Sequence, residues 1–343
     1  GADSAADLSA PRSSEAGTDT RSETVDDAIE PVSASSDQPL RAGSVDDNVD
    51  HDDFLAYAQR VRDLGIEGRP FDPAGRTVIR VVDGEGAPVA GAAVEVAVPG
   101  TDQSSSAVTL RTTADGTARF FPGLYGIGPA AAIDVSVPGG TTVAATPGSD
   151  VTVTSPASTA VPAPVPLDVL FLLDATGSMG DEIDRLTQTI GDVAAQVDGL
   201  EPRPDVRFGM TLYRDEGDAF LTSTFDLTGD VGAFGSALAD VVAAGGGDYP
   251  EALDEGLAEA LAAPSWRSPA EAVQLVFVVA DAPPQVARTV DTPYTTSIAD
   301  AVARGIKIFP VASSESDDVA ELVFRQMAVA TGAPYVLLSH IHI

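Results

Sequence analysis

"DVLFLLDATGSMGDEI", residues 168–183, passes from an unbroken apolar run into a turn rich in oxygen-bearing side chains and then into a helix-like stretch. A run such as Val169–Leu173, without polar alternation, suits a parallel strand buried on both faces. "LVFVVA" (275–280) has the same character, and "RFGMTLY" (207–213) and "IKIFPVA" (306–312) repeat it more weakly. Ile183, Leu186, Ile190, Val193 and Val197 recur at helical spacing between these runs, as do Leu253, Leu257 and Leu261. Alternating strands and helices predict a doubly wound α/β domain with a mostly parallel sheet over 167–343. In such a fold ligands gather beyond the carboxyl ends of the strands, which is where Asp174, Thr176 and Ser178 fall.

A chain of 343 residues exceeds one ordinary core, so two folded units are expected. Nineteen basic against 52 acidic residues give a net charge of -33, and Lys307 is the only lysine. Phosphate backbones and anionic membranes need clustered Lys and Arg, so neither is an expected partner. With no cysteine, disulfides, thiolate metal sites and cysteine catalysis are excluded, while the compartment stays open. No apolar run is long enough to span a bilayer, and "GADSAADLSA" at the start has no signal-peptide character; an export signal, if there was one, is absent from this chain.

Residues 1–50 carry too few large apolar side chains to offset the entropy of ordering, and read as a disordered acidic tail. "VDDNVDHDD" (45–53) lacks the glycine of an EF-hand loop and reads as a solvated charge run. Phe54, Tyr57, Ala58, Val61 and Leu64 then predict a short helix in a connector spanning 51–75, capped by Asp52 or Asp53 and stopped by Gly65. Over 76–157 the period becomes two, in short runs punctuated by Gly and Pro, with a hairpin expected at Asp115-Gly116. This predicts a small antiparallel β-sandwich. "VVDGEGAPVAGAAVEV" (81–96) followed by "TTADGTARF" (112–120) resembles the prealbumin-like, carboxypeptidase regulatory-like modules that serve as spacers in exported bacterial proteins. A Pro-rich linker over 158–166 should leave few contacts between the two units.

Hydroxyls and carboxylates without His or Cys suit a hard divalent cation such as Mg²⁺, Mn²⁺ or Ca²⁺. Equally, Thr176 and Ser178 could cap the helix starting near Gly180, with Asp181 and Glu182 complementing its dipole. Two other segments bear on the choice. "GGGDYPEAL" (245–253) brings Asp248 to a helix start, where Asp248 and Glu251 also fit a capping pattern, and "LVFVVADAPP" (275–284) puts Asp281 at the end of a buried strand. At this point the sequence resembles the von Willebrand factor type A family, whose metal-ion-dependent adhesion site takes D-x-S-x-S after the first strand, a Thr from a second loop and an Asp from a third. Asp174, Thr176 and Ser178 match the first element with Thr for Ser, Asp281 matches the last, and Asp248 stands where better-studied members carry Thr. "YRDEGD" (213–218) and "ATGAPYVLL" (330–338) resemble a bacterial branch, and Arg214, Asp215 and Asp218 either line the same rim or form a solvated loop.

The resemblance implies a divalent cation, Mg²⁺ first, held by Asp174, Thr176, Ser178, Asp248 and Asp281. It also implies a protein ligand or self-association at that sheet edge, in an exported protein at the cell surface or in the periplasm. A third carboxylate would make the ion less attractive to an acidic partner. Catalysis has little support. A dehalogenase-type phosphatase would need an acid where Thr176 stands, a P-loop would need Gly-Lys-Ser/Thr, and His51, His340 and His342 are too peripheral for a triad. The readings are thus a metal-dependent adhesion module, an assembly subunit that associates with itself, and, remotely, a metal-dependent phosphoesterase. Members of the family usually end in a helix over one sheet face, and no such helix follows the last strand here.

Overall fold

A computed structural model of the chain describes residues 41–66, 68–99, 107–157, 164–247, 249–313 and 316–339. The tail expected over 1–50 lies outside these residues as far as residue 40, as do 158–163 of the linker and the "HIHI" ending from 340.

The opening apolar run forms β9 (Val165–Asp174), buried throughout from Asp168 onward because it runs through the middle of a seven-stranded sheet. Parallel to it lie β10 (Pro204–Tyr213) on one side and β12 (Val273–Ala280) on the other. Beyond β10 comes β11 (Thr222–Thr228), antiparallel and at the edge; beyond β12 come β13 (Lys307–Ala312), β14 (Tyr335–Ser339) and β1 (Arg41–Val45), the last antiparallel. Asp174 is level with Tyr213, and Leu173 with Val279, so the three central strands end at one edge. The chain leaves β9 for β10 on one side and later enters β12 on the other, which makes this edge a topological switch point.

Alternate residues of β9 enter different cores. Val169, Phe171 and Leu173 face α2 (Gly180–Asp198) and α3 (Val231–Ala239), while Leu170 and Leu172 join a core with α4 (Leu253–Ala262), α5 (Tyr294–Arg304) and α6 (Asp318–Thr331). Leu253, Leu257 and Leu261 are buried as their spacing predicts. On α2 the buried row is Ile183, Ile190 and Ala194, and Val193 turns outward, because the helix docks a little out of phase with the expected stripe. From Leu322 to Thr331 every residue of α6 except Arg325 is buried, as expected of a helix covered on both sides.

The β-rich region holds a three-stranded sheet, β5 (Thr117–Phe120), β2 (Thr77–Val82) and β8 (Val151–Thr154), and a four-stranded one, β4 (Val108–Arg111), β3 (Ala93–Ala97), β6 (Ile133–Ser136) and β7 (Thr142–Ala145). The pairings are antiparallel except β2 with β8. Asp115-Gly116 makes a turn, with Asp115 accepting from the backbone and hydroxyl of Thr117, but not the expected hairpin. Its flanking strands pair into different sheets, so the turn carries the chain round a corner.

Contacts between the two regions are extensive, contrary to the expectation drawn from the linker. One apolar cluster runs from Ile79, Val94, Phe120 and Phe121 through Phe54 to Phe324, Met327, Ile298 and Leu170. The linker's last residues, Val165 and Pro166, already belong to β9. The tail reading also fails over 41–50, since Arg41–Val45 pairs with β14 and buried Asp47 forms a two-point ion pair with Arg325 of α6. Next comes α1 (His51–Asp63), which buries Phe54, Ala58 and Val61 near α6 but leaves Leu64 exposed. Its N-cap is Asp50, not Asp52 or Asp53. Phe277 of β12 and Phe309 of β13 stack at 5.0 Å, both partly buried.

Candidate functional site

The turn after β9 is built round Asp174. Its side chain is fully buried; Oδ1 accepts from the Thr176 backbone N–H at 2.9 Å and the Thr176 hydroxyl at 2.6 Å, and Oδ2 accepts from the Tyr213 hydroxyl at 3.3 Å. Ser178 Oγ lies 3.5 Å from Thr176 Oγ1, at the exposed side of the turn. Neither hydroxyl caps: the short 3₁₀ turn Gly177–Met179 and α2 both begin without a side-chain hydrogen bond. The capping alternative therefore fails, and both hydroxyls are left beside a buried acid.

Asp281, just beyond β12, is also buried. Its carbonyl accepts from the Tyr249 hydroxyl at 3.2 Å, and the same hydroxyl accepts from the Asp317 N–H at the start of α6. Asp248 lies outside the described residues. Among the described residues of that loop the acid is Glu251, whose backbone N–H donates to Pro283 O at 3.1 Å beside the Asp281 loop. Glu251 is buried, its Oε2 has no partner among the described residues, and α4 starts at an Ala252 N-cap without a side-chain bond, so Glu251 precedes the helix and does not stand in its first turn. Thr176, Ser178, Gly245, Gly246, Tyr249, Glu251 and Asp281 share a cavity of about 360 Å³. The sequence pattern missed Glu251 because D-x-x-E reads equally well as a helix start.

The "YRDEGD" loop shapes the rim. Arg214 donates to Ala175 O at 3.1 Å and Val242 O at 2.6 Å and lies over the Phe220 ring, so its charge is spent on backbone carbonyls. Asp218 accepts from Gly246 N–H at 2.9 Å and from Asp215 N–H at 3.2 Å. Arg288 pairs with Glu216 and Glu255. Among the described residues, no basic side chain pairs with Asp174, Glu251 or Asp281.

That imbalance shows in the acidities. Burial pushes the Asp174 carboxyl up to about 7, with the Asp281 charge adding to it, against the hydrogen bonds from Thr176 and Tyr213. Burial pushes Glu251 up to about 8, reinforced by Asp174, Asp215, Asp281 and Asp218. Buried carboxylates without a counter-charge either take up protons or attract a cation. The donors are all oxygen, which fits a hard divalent ion. Among the described residues no three acidic or imidazole groups are gathered tightly enough to hold an ion alone, so the hydroxyls and retained water would have to complete its shell. A more apolar groove of about 410 Å³, lined by Pro88, Val165, Val273, Leu275 and Phe309, lies at the far end of the sheet and gathers no comparable polar set.

No functionally curated protein matches the sequence. Among solved structures, the chain is similar to proximal thread matrix protein 1 from the mussel byssus, at 13% identity and a TM-score of 0.38, over 50% of this chain and 41% of that one. The buried acid after the central strand, the two hydroxyls and the acid after β12 all fall inside residues 168–336, the stretch that matches the von Willebrand factor type A domain.

Proposed function

We propose that this domain binds one divalent cation, Mg²⁺ first and Mn²⁺ or Ca²⁺ as alternatives, through Asp174, Thr176, Ser178 and Asp281 with Asp248 from the neighbouring loop, and that the same sheet edge engages a protein partner. The observation that carries this is the burial of Asp174, hydrogen-bonded but without a cationic partner among the described residues, beside two hydroxyls that serve no cap. Domains of this family are generally protein-interaction modules rather than enzymes. When bound, the ion supplies a positive centre for a partner's oxygen ligand. The chain's own part is to fix Asp174 through Thr176 and Tyr213 and to hold Asp281 beside Tyr249. We place the protein outside the cytoplasm, with the β-rich region (76–157) as a carboxypeptidase regulatory-like spacer; no helix among the described residues is long and apolar enough to cross a membrane.

Calorimetric titration of the full chain with Mn²⁺ and Mg²⁺ should give one saturable site, and bound metal should raise the melting temperature by linkage. Asp174→Ala should abolish both effects. Equal affinity in the two proteins would overturn the assignment. The alternative reading is that the same sheet edge mediates self-association. Sedimentation with and without EDTA separates the two, because an assembly subunit forms oligomers without any partner.

A further inference from the structure

The neighbourhood of Glu251 holds more negative charge than a site awaiting an acidic partner needs. Glu251 enters the cavity from the α4 side, held by its N–H to Pro283 O and by the backbone bridge between Glu251 and Pro284. Gly246 permits the approach: a β-carbon there would lie 2.7 Å from Glu251 Oε1 and 3.0 Å from Cβ of Thr176. The carboxylate therefore sits against the same glycine as Thr176 and shares the cavity with Ser178 and Asp281. Its Oε2 is shut off from solvent and accepts no hydrogen bond among the described residues, in a side chain only 5% exposed. A buried acceptor without a donor is unfavourable, and more so when charged, so the carboxylate is suited to a cation nearby.

We propose that Glu251 is the partner-determining residue of this site: it supplies from within the chain the carboxylate that an acidic partner would otherwise bring, so the edge accepts neutral or basic partner surfaces and disfavours acidic ones. The inference rests on the cation-site reading given above. Among the described residues no three acids close directly round one point, so Glu251 would act across water retained by the ion, as hard cations commonly allow. Its charge lowers the residual positive charge that an incoming carboxylate could feel. Asp215 and Asp218 on the adjoining loop extend the same sign of field.

The test uses the full chain, with Mn²⁺ alone and then sodium acetate as the probes. Glu251→Gln keeps the shape and removes the charge. Its Mn²⁺ affinity should fall about tenfold, a loss equal to one pKa unit of interaction. The Mn²⁺-loaded variant should then bind acetate at millimolar concentration, where the Mn²⁺-loaded parent binds none. Unchanged Mn²⁺ affinity and no gain in acetate binding, with Asp174→Ala inactive, would overturn the role of Glu251 and leave the site standing. Undiminished Mn²⁺ binding by Asp174→Ala would instead remove the site on which the inference rests. Should Glu251→Gln fail to fold, the parent decides: saturable acetate binding to its Mn²⁺-loaded form overturns the proposal.

Discussion

His51 shows how one side chain ties stability to pH. Its ring lies 6.0 Å from that of Phe54 and 5.9 Å from that of Phe121, where α1 meets the β-rich region. Burial, helped by the charge of Arg76, pushes its pKa down to about 4 from 6.5. The unfolded chain therefore takes up a proton near pH 6.5 that the folded chain refuses until about pH 4. The stabilising contribution is complete above pH 6.5 and is lost as pH falls from there toward 4. His51→Phe should remove this dependence: urea midpoints of the two proteins, constant in their difference above pH 7, should diverge in favour of the variant by roughly 1–2 kcal/mol near pH 4.5. Parallel curves would show that His51 titrates freely. At Gly246, φ is +74° and a side chain would press on Glu251 and Thr176, so Gly246→Ala should cost about 1–2 kcal/mol and weaken Mn²⁺ binding in the same titration.

At the scale of elements, the approach of α4 to β10 sets the floor of the site. Gly256 is a poor helix residue, worth about 1 kcal/mol less than Ala in a helix interior. Here it allows contact, because a β-carbon would lie 2.7–2.9 Å from the Tyr213 side chain, and Tyr213 is the fully buried donor to Asp174 Oδ2. Gly256→Ala should thus destabilise by about 1–2 kcal/mol despite its better propensity, overpacking outweighing it. Denaturant titration checks the sign. At the other end of the sheet, Arg325 of α6 holds Asp47 at 2.6 and 2.9 Å and stacks 3.8 Å over Tyr57 of α1. Asp47→Ala leaves that guanidinium with Glu321 alone and should cost about 2 kcal/mol. A change below 0.5 kcal/mol would mean that β1 and α1 are tied down by apolar contact only.

For the whole molecule, the decisive feature is that the apolar core does not stop at the linker. Helix α6 is buried on the sheet side and again on the side of α1 and the β-rich region, where Arg119 packs against Gly332 at its end. Removing the β-rich region would strip cover from Phe324 and Met327. Calorimetry on residues 41–343 should therefore show one cooperative transition, and a fragment beginning near Leu167 should aggregate. Two resolved transitions, with a stable fragment, would show that the shared core contributes little.

The buried strands, the alternation that makes a doubly wound sheet, and Asp174 with Thr176 and Ser178 at its edge were all legible in the sequence. Each depends on local pattern: unbroken apolar runs for strands buried on both faces, and a polar turn directly after one of them. Three things were settled only by tertiary structure. Arg41–Val45 becomes a strand because β14 offers it an edge, although nothing in "RAGSV" says so. Asp115-Gly116 turns a corner instead of closing a hairpin, since pairing partners, not turn residues, decide which sheet a strand joins. And Glu251, which a one-dimensional pattern reads as a helix start, ends beside Asp281, more than one element away, because the backbone of its loop bonds to Pro283 and Gly246 leaves room for its carboxylate.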